Sequence, residues 1–359
     1  EAVCHNNIIC CRKDSKIPIG EKKTPAGRFG MAHSCDVPER TIDDFFAFLS
    51  DKIKPDVLMW LGDNEFHEID MISADYNIEA SSKLAQKFQS YLSGKNTDMW
   101  LSIGNHESFP TDQFDHLTKS TQWLLDGLSS AYSGIVDAQS TAQIKQRGFY
   151  SRSIPERNLK MISLFGAPYD SINFYNLMKT FDPLNQLEWL KRELQKSEDN
   201  DEDVMIIMHI PVSGDYSIDV WTDAFNTLVD RYQNTITALF SGHTHDDHVK
   251  FHASHQSPDK IIAVDFIGPS LTTFSDHLPS FRVFTVDSET NQVIDYTQYR
   301  LNLDFWNKQA PSEKAQWDVA YKWSELYGYP NASMKNIQDW RDKLASGDKQ
   351  FMLNFWKNK

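Results

Sequence analysis

Four short apolar runs in this chain end in the same way, and that repetition limits the fold more than any other feature. Val57-Leu58-Met59-Trp60-Leu61 runs into Gly62-Asp63-Asn64, and Met99-Trp100-Leu101-Ser102-Ile103 runs into Gly104-Asn105-His106-Glu107. Val204-Met205-Ile206-Ile207-Met208 leads to His209-Ile210-Pro211, and Thr235-Ile236-Thr237-Ala238-Leu239-Phe240 leads to Ser241-Gly242-His243-Thr244-His245-Asp246-Asp247. Near-continuous apolar runs of this length are expected of strands buried on both faces, in a sheet covered by helices. In such open α/β sheets the functional crevice lies beyond the C-terminal strand ends. The four runs would therefore deliver Asp, Asn-His, His and His-x-His to one edge.

The stretches between them fit an α/β rhythm. Helices are predicted from Thr41 to about Lys54, from about Ala74 to Leu92, from about Asp112 to Tyr132 (Leu117, Trp123 and Leu124 inward), and from Asp182-Pro183 to about Lys196. Gly148–Ser151 and Lys160–Phe165 read as adjacent strands. Strands near Val249–His252, Lys260–Phe266, Phe281–Val286 and Gln292–Tyr299 would form the second face of a two-sheet sandwich flanked by helices. From Leu301 the character turns helical and Trp-rich, with Trp306, Trp317, Trp323, Trp340 and Trp356 expected to pack against the rest. The expected organisation is a disulfide-held segment over 1–40, a catalytic domain over 41–300 and a small helical subdomain over 301–359.

A formal charge of −14 argues against nucleic acid as a partner, because a phosphate-binding surface needs a basic stripe. No apolar run reaches the roughly 18 residues a membrane-spanning helix needs. Cys4, Cys10, Cys11 and Cys35 all fall in the first tenth of the chain. An even, clustered set suggests two local disulfides and an oxidising compartment, whereas the adjacent Cys10-Cys11 pair suits a structural zinc site poorly. Asn331-Ala332-Ser333 is a glycosylation sequon consistent with secretion. The acidic run Ser197–Asp203 lacks calcium-loop spacing and reads as a solvated turn.

The chemistry of the four loops points to metal. The Asp63 carboxylate can bridge two cations, Asn105 offers a carbonyl oxygen, and His209, His243 and His245 offer imidazole nitrogens. Mixed N/O sites of this kind suit zinc, with iron or manganese as further options. Two such ions about 3.5–4 Å apart bind a phosphate ester, activate a bridging water and stabilise attacking and leaving oxygens. A general acid is still needed for the leaving alkoxide. His106, beside Asn105, is the first candidate, and His67 serves either as the second or as a supporting hydrogen-bond group. Glu107 and Asp246 are expected to orient ligands rather than ligate.

The ordered set Gly-Asp, Gly-Asn-His-Glu, His and Gly-His-x-His resembles that of calcineurin-like metallophosphoesterases. Within that superfamily the chain is most similar to the acid sphingomyelinase family. The likeness runs through Cys10-Cys11-Arg12, Cys35-Asp36-Val37-Pro38-Glu39-Arg40-Thr41, Gly148-Phe149-Tyr150, Asp182-Pro183, Gln186 and Trp189 to Arg282-Val283 and Leu301-Asn302-Leu303. The resemblance implies a two-zinc hydrolase that splits sphingomyelin into ceramide and phosphocholine, working as a monomer in transient contact with a membrane surface, in lysosomes or outside the cell. By the family pattern Asp63 bridges both zincs, Asn105, His209 and His243 complete one, His245 belongs to the other, and His67 and His106 serve the leaving group. The family's opening Asp-x-His motif should lie upstream of Cys4, and its saposin-like domain is not in this sequence; truncation of a longer chain is the expected reason. Two alternatives stand beside this reading: a secreted nucleotide phosphodiesterase of the acid-sphingomyelinase-like branch, and a non-catalytic relative that binds lipid or a partner protein.

Overall fold

In the computed structural model, residues 27–33, 35–69, 72–178 and 181–358 are described. Cys4, Cys10 and Cys11, on which the expected disulfides depend, lie outside them.

Three sheets carry the fold. β1 (Val57–Trp60) and β2 (Asp98–Leu101) form a parallel pair. A six-stranded sheet has the order β3-β4-β5-β6-β8-β7. It comprises β3 (Tyr150–Ile154), β4 (Leu159–Ser163), β5 (Asp203–Ile207), β6 (Ile236–Ser241), β7 (His248–Ala253) and β8 (Ile261–Ile267). Its central strands β4, β5, β6 and β8 are parallel, and β3 and β7 close the edges antiparallel. A third, antiparallel sheet has the order β11-β10-β9, from β9 (Ser280–Val286), β10 (Val293–Leu301) and β11 (Trp317–Lys322). The strands expected near 249–252 and 260–266 therefore extend the first sheet rather than the second. The reason is visible in β8, all of whose residues are buried: a strand covered on both faces belongs in the helix-flanked sheet.

Helices cover the sheets as the apolar spacing dictates. α1 (Glu39–Phe48) continues into a π-helical turn, Leu49–Ile53, and buries Ile42, Phe45, Phe46 and Phe48. α2 (Ala74–Leu92) is capped by Ser73, whose hydroxyl accepts from the Tyr76 N–H, and buries Ala80, Leu84, Phe88 and Tyr91 along one stripe. α3 (Gln122–Ala131) starts ten residues later than predicted, because the Asp115 carboxylate accepts the Leu117 and Thr118 N–H groups and closes a turn instead. Leu117, expected inward, is consequently exposed. Two helices escaped sequence reading: α4 (Ala138–Arg147), which buries only Ser140 and Ile144, and α6 (Asp219–Arg231), which buries Trp221, Phe225 and Val229. Between them in sequence lies α5 (Gln186–Asp199).

Beyond β10 come α7 (Leu303–Trp306), α8 (Trp323–Tyr327), α9 (Met334–Ala345) and α10 (Lys349–Asn358). This segment is not wholly helical, since β11 hydrogen-bonds to β10 as part of the third sheet. Trp317, Trp323 and Trp340 are buried, whereas Trp356 is exposed. Residues 27–40, expected to be held without a core, bury Phe29 and Val37 and are tied to the same segment: the Phe29 N–H donates to Asn307 Oδ1.

The pair β1–β2 joins the large sheet through side chains. The Tyr150 hydroxyl both accepts the Leu101 N–H at 3.0 Å and donates to the Leu101 carbonyl at 2.9 Å. Ser163 Oγ donates to the Leu101 carbonyl, and Ser102 Oγ to that of Leu164. The outer edge of β1 faces a cavity of about 1020 Å³, bounded by Leu58, Met59, Phe281 and Val283 and reaching Asp63 and His243.

Candidate metal centre

The loops that follow β1, β2, β5 and β6 meet at one place, and close packing of two glycines brings the first two together. Gly62 has φ +99°, and a Cβ there would lie 2.3 Å from the Gly104 nitrogen. A Cβ on Gly104 would in turn lie 2.1 Å from Asp63 Oδ1. No larger residue fits at Gly62 without moving the Gly104 backbone, or at Gly104 without moving Asp63. Asp63, His243 and His245 themselves hold positive φ values of 59°, 71° and 62°. Such backbone costs about 1–3 kcal/mol per residue and persists where surroundings over-determine it.

Those surroundings are specific. The Glu107 carboxylate, fully buried, accepts the Asp63 N–H at 3.2 Å and the Asn64 N–H at 3.0 Å. Asp63 Oδ1 accepts the His106 N–H at 3.0 Å. Asn105 donates its amide to Asp112 Oδ1 at 2.7 Å, which turns its own carbonyl oxygen to within 3.0 Å of His243 Nδ1. His209 Nδ1 donates to the Leu61 carbonyl at 2.7 Å, leaving Nε2 for the centre. That Nε2 is buried and lies 3.0 Å from Asp63 Oδ2, yet it makes no hydrogen bond. Ligand atoms of Asp63, His209 and His243 lie within 4.8 Å of one another. An imidazole nitrogen and a carboxylate oxygen paired this closely without hydrogen-bond alignment, inside a mixed oxygen and nitrogen set, suit a shared cation. The residues fit a metal ion.

The electrostatics agree with that geometry. Burial raises the Asp63 carboxyl, but the His209 and His106 imidazoles outweigh it and hold it well below the usual range. Burial lowers His243 to about 3, reinforced by His209, and lowers His245 to about 4, reinforced by His67. Both are therefore neutral and free to ligate near pH 7. Glu107 is pushed up to about 7 by burial and then by Asp63, the cost of placing a second carboxylate behind the first.

His245 stands beside this set, with its ring 5.0 Å from that of His67. The His67 and His106 rings are 4.7 Å apart, edge to face. Sequence reasoning did not find the groups that fix His67. Asp36 accepts both the His67 N–H and Nδ1, each at 2.8 Å, and also the Thr272 hydroxyl at 2.5 Å. Phe274 stacks on the His67 ring at 3.9 Å with an interplanar angle of 2°. Asp112 and Tyr216, whose ring meets His243 at 5.3 Å, were also unanticipated. Only Asp36 carried a signal, through its place in the Cys-Asp-x-Pro stretch. Asp246 pairs with His277 Nε2 at 3.1 Å, and Asp247 with Arg282 and Tyr321, which anchors the His243–His245 loop to β9 and β11.

Residues 33–247 match the family Metallophos, Calcineurin-like phosphoesterase. The chain is 32% identical over 336 residues to Sphingomyelin phosphodiesterase A of Dictyostelium discoideum, covering 90% of this chain and 54% of that protein. It is 30% identical over 356 residues to human Sphingomyelin phosphodiesterase, covering 97% and 55% respectively. It is 28% identical over 354 residues to human Cyclic GMP-AMP phosphodiesterase SMPDL3A, covering 94% and 75%. The chain thus spans about half the length of the sphingomyelin phosphodiesterases it matches.

Proposed function

Because the chain belongs to the calcineurin-like phosphoesterase family, we propose that it hydrolyses a phosphodiester, with sphingomyelin as substrate and ceramide and phosphocholine as products. The observation that carries this reading is the convergence of Asp63, His209 and His243, with the Asn105 carbonyl oxygen 3.0 Å from His243 Nδ1. These four residues would hold one ion, and Asp63 with His245 would contribute to a second; zinc suits the donor set. When bound, the metal supplies Lewis acidity toward the phosphoryl oxygens and a hydroxide-like water at neutral pH.

The chain's own residues do the rest. His67 donates its Nδ1 proton to Asp36 and is clamped by Phe274, so its Nε2 is the nitrogen that holds a proton for the leaving oxygen. His106, fixed through its backbone to Asp63 and set against the His67 ring, is the second proton carrier. Glu107 keeps Asp63 in its left-handed backbone conformation, and Asp112 keeps the Asn105 carbonyl turned inward. The acidic surface disfavours polyanionic substrates in general, which supports a zwitterionic diester over a nucleotide. A nucleotide diester is the second reading, supported by the 28% identity to the cyclic GMP-AMP phosphodiesterases. A secreted or lysosomal setting belongs to the same proposal, and the sequon residue Asn331 is exposed.

Zinc per chain, followed by parallel assays of phosphocholine release from sphingomyelin and phosphate release from ATP, tests the proposal. Phosphocholine release that His67→Ala and His106→Ala both depress is the expected result. Cleavage of ATP alone would overturn the sphingomyelin reading in favour of the nucleotide one.

A further inference from the structure

The loop that follows β4 carries apolar side chains outward beside the metal centre. Ile172, Phe174, Leu177, Met178 and Phe181 are all exposed, Phe174 by 71%, Leu177 by 78% and Met178 by 70%. From Ser171 to Met178 the chain has no charged residue, in a protein that is 24% charged overall. Leaving several large hydrophobes at three-quarters exposure is unusual for a surface facing water only.

The loop is not a loose excursion. Gln113 grips it from the neighbouring segment, donating to the Ile172 carbonyl and accepting the Phe174 N–H, each at 3.0 Å. His116 Nε2 meets Asn176 Oδ1 at 3.0 Å, and the buried Asn173 amide donates to the Phe114 and Ala167 carbonyls. Asn176 and Ile172 are further tied to Asp170. These bonds engage the Asn173 and Asn176 amides while Ile172, Phe174, Leu177 and Met178 stay exposed. The same frame reaches the centre. The Ser171 N–H donates to the carbonyl of Tyr216, whose ring packs on His243, and the Asp112 N–H donates to the carbonyl of Asn105.

We propose that this loop is the surface by which the protein docks on a phosphocholine-lipid bilayer, with the metal centre at its margin. The proposal rests on the sphingomyelin reading above, since a substrate held in a bilayer must be met there. The occupant follows from charge and shape. Protruding side chains on the uncharged stretch from Ser171 to Met178, which ends at Lys179, can bury their tips among headgroups without desolvating a carboxylate. A net charge of −14 disfavours anionic lipid and leaves a zwitterionic surface as the compatible one. A flat protein partner would instead call for a recessed apolar centre with a polar rim.

Co-sedimentation of the full chain with phosphatidylcholine vesicles, containing no sphingomyelin, tests this. Phe174→Ser and Leu177→Ser should each lower the partition coefficient by about tenfold, and Phe174→Ser/Leu177→Ser/Met178→Ser by on the order of 100-fold or more. Phe305→Ser/Val319→Ser, which removes exposed apolar groups elsewhere, should leave it unchanged. Hydrolysis of bis(p-nitrophenyl) phosphate in solution should be the same in all of them, which also shows that each is folded. Equal binding by the triple variant, equal loss in the control pair, or no vesicle binding by the wild-type chain would overturn the docking surface. So would conversion of a wild-type dimer to monomer by the triple variant, which would make the loop a contact between copies. Vesicle binding with no hydrolysis of any diester would instead sink the functional reading and leave the surface standing.

Discussion

Gly104→Ala isolates the steric logic of the metal centre, because it adds one methyl group and removes no polar atom. The new Cβ would lie 2.1 Å from Asp63 Oδ1, 2.5 Å from the Asp63 nitrogen and 2.8 Å from Glu107 Oε2, whereas real Cβ contacts essentially never fall under 3.0 Å. Relief therefore displaces the Asp63 carboxylate by roughly 1 Å, about five times the 0.2 Å tolerance of metal–ligand distances. The overpacking costs about 1–3 kcal/mol of stability. The larger effect falls on the ion: losing a ligand's alignment should weaken zinc binding at least about 100-fold, the upper end of what removal of a supporting partner does. Zinc affinity would be measured by competition with a chromophoric chelator, and the melting temperature in excess chelator would separate metal loss from unfolding. Gly94→Ala is the control, since Gly94 has φ +70° but nothing within 4 Å. It should cost about 1 kcal/mol and leave zinc unaffected. A folded Gly104→Ala protein that binds zinc as tightly as wild type would refute the steric argument.

Three other outcomes follow from the same structure. Asp36→Ala should lower kcat about 10–100-fold with KM and zinc content little changed, because it frees the His67 ring; an unchanged kcat would remove Asp36 from the proton pathway. Asp265, fully buried against Ser241, is raised from 3.8 to about 6 by burial, with Ser241 and Lys250 opposing. Its contribution to stability is thus complete below pH 4 and lost as pH rises through 6, so Asp265→Asn should be roughly 1–3 kcal/mol more stable than wild type at pH 7.5. Urea titrations at both pH values check this, and a stability gap that does not close at pH 4 would contradict it. Trp221→Ala, which removes a fully buried ring stacked on Tyr169 at 3.9 Å, should cost about 3–5 kcal/mol in the same assay.

The strands and their ligand-bearing ends were legible because a strand buried on both faces writes itself as an unbroken apolar run. The polar residue that ends such a run is hard to explain by packing. The helix α2 was legible for the related reason that its apolar stripe is long and regular. What escaped depended on single polar groups rather than on pattern. Asp115 turns a sequence with helical character into a closed loop by capturing two backbone N–H groups. α4 has almost no apolar face, and its ends are marked only by Asp137, which accepts the Ser140 N–H, and by Gly148. The partnership of Asp36 with His67 spans 31 residues and no periodicity announces it. The sheet of β7 and β8 was hidden for a different reason: sequence order places them after the metal loops, but burial on both faces sets β8 beside β6, and β7 follows as the antiparallel edge strand paired to β8.

The splice at Tyr150 divides the ligand set. Asp63 and Asn105 are carried by the two-stranded pair, and His209 and His243 by the six-stranded sheet, with the Tyr150 phenol and the Ser163 hydroxyl at Leu101, and the Ser102 hydroxyl at Leu164, joining the two bodies. An ion gripped from both sides would act as a clasp across that seam, so metal affinity and the docking of the two bodies become one equilibrium. Loosening the splice, as Tyr150→Phe would, then taxes ion capture from a position 45 residues beyond Asn105 and 59 before His209, without touching a ligand. Conversely, each increment of bound ion would slow amide exchange at Leu101, a backbone position whose protection comes from a side chain rather than from a neighbouring strand.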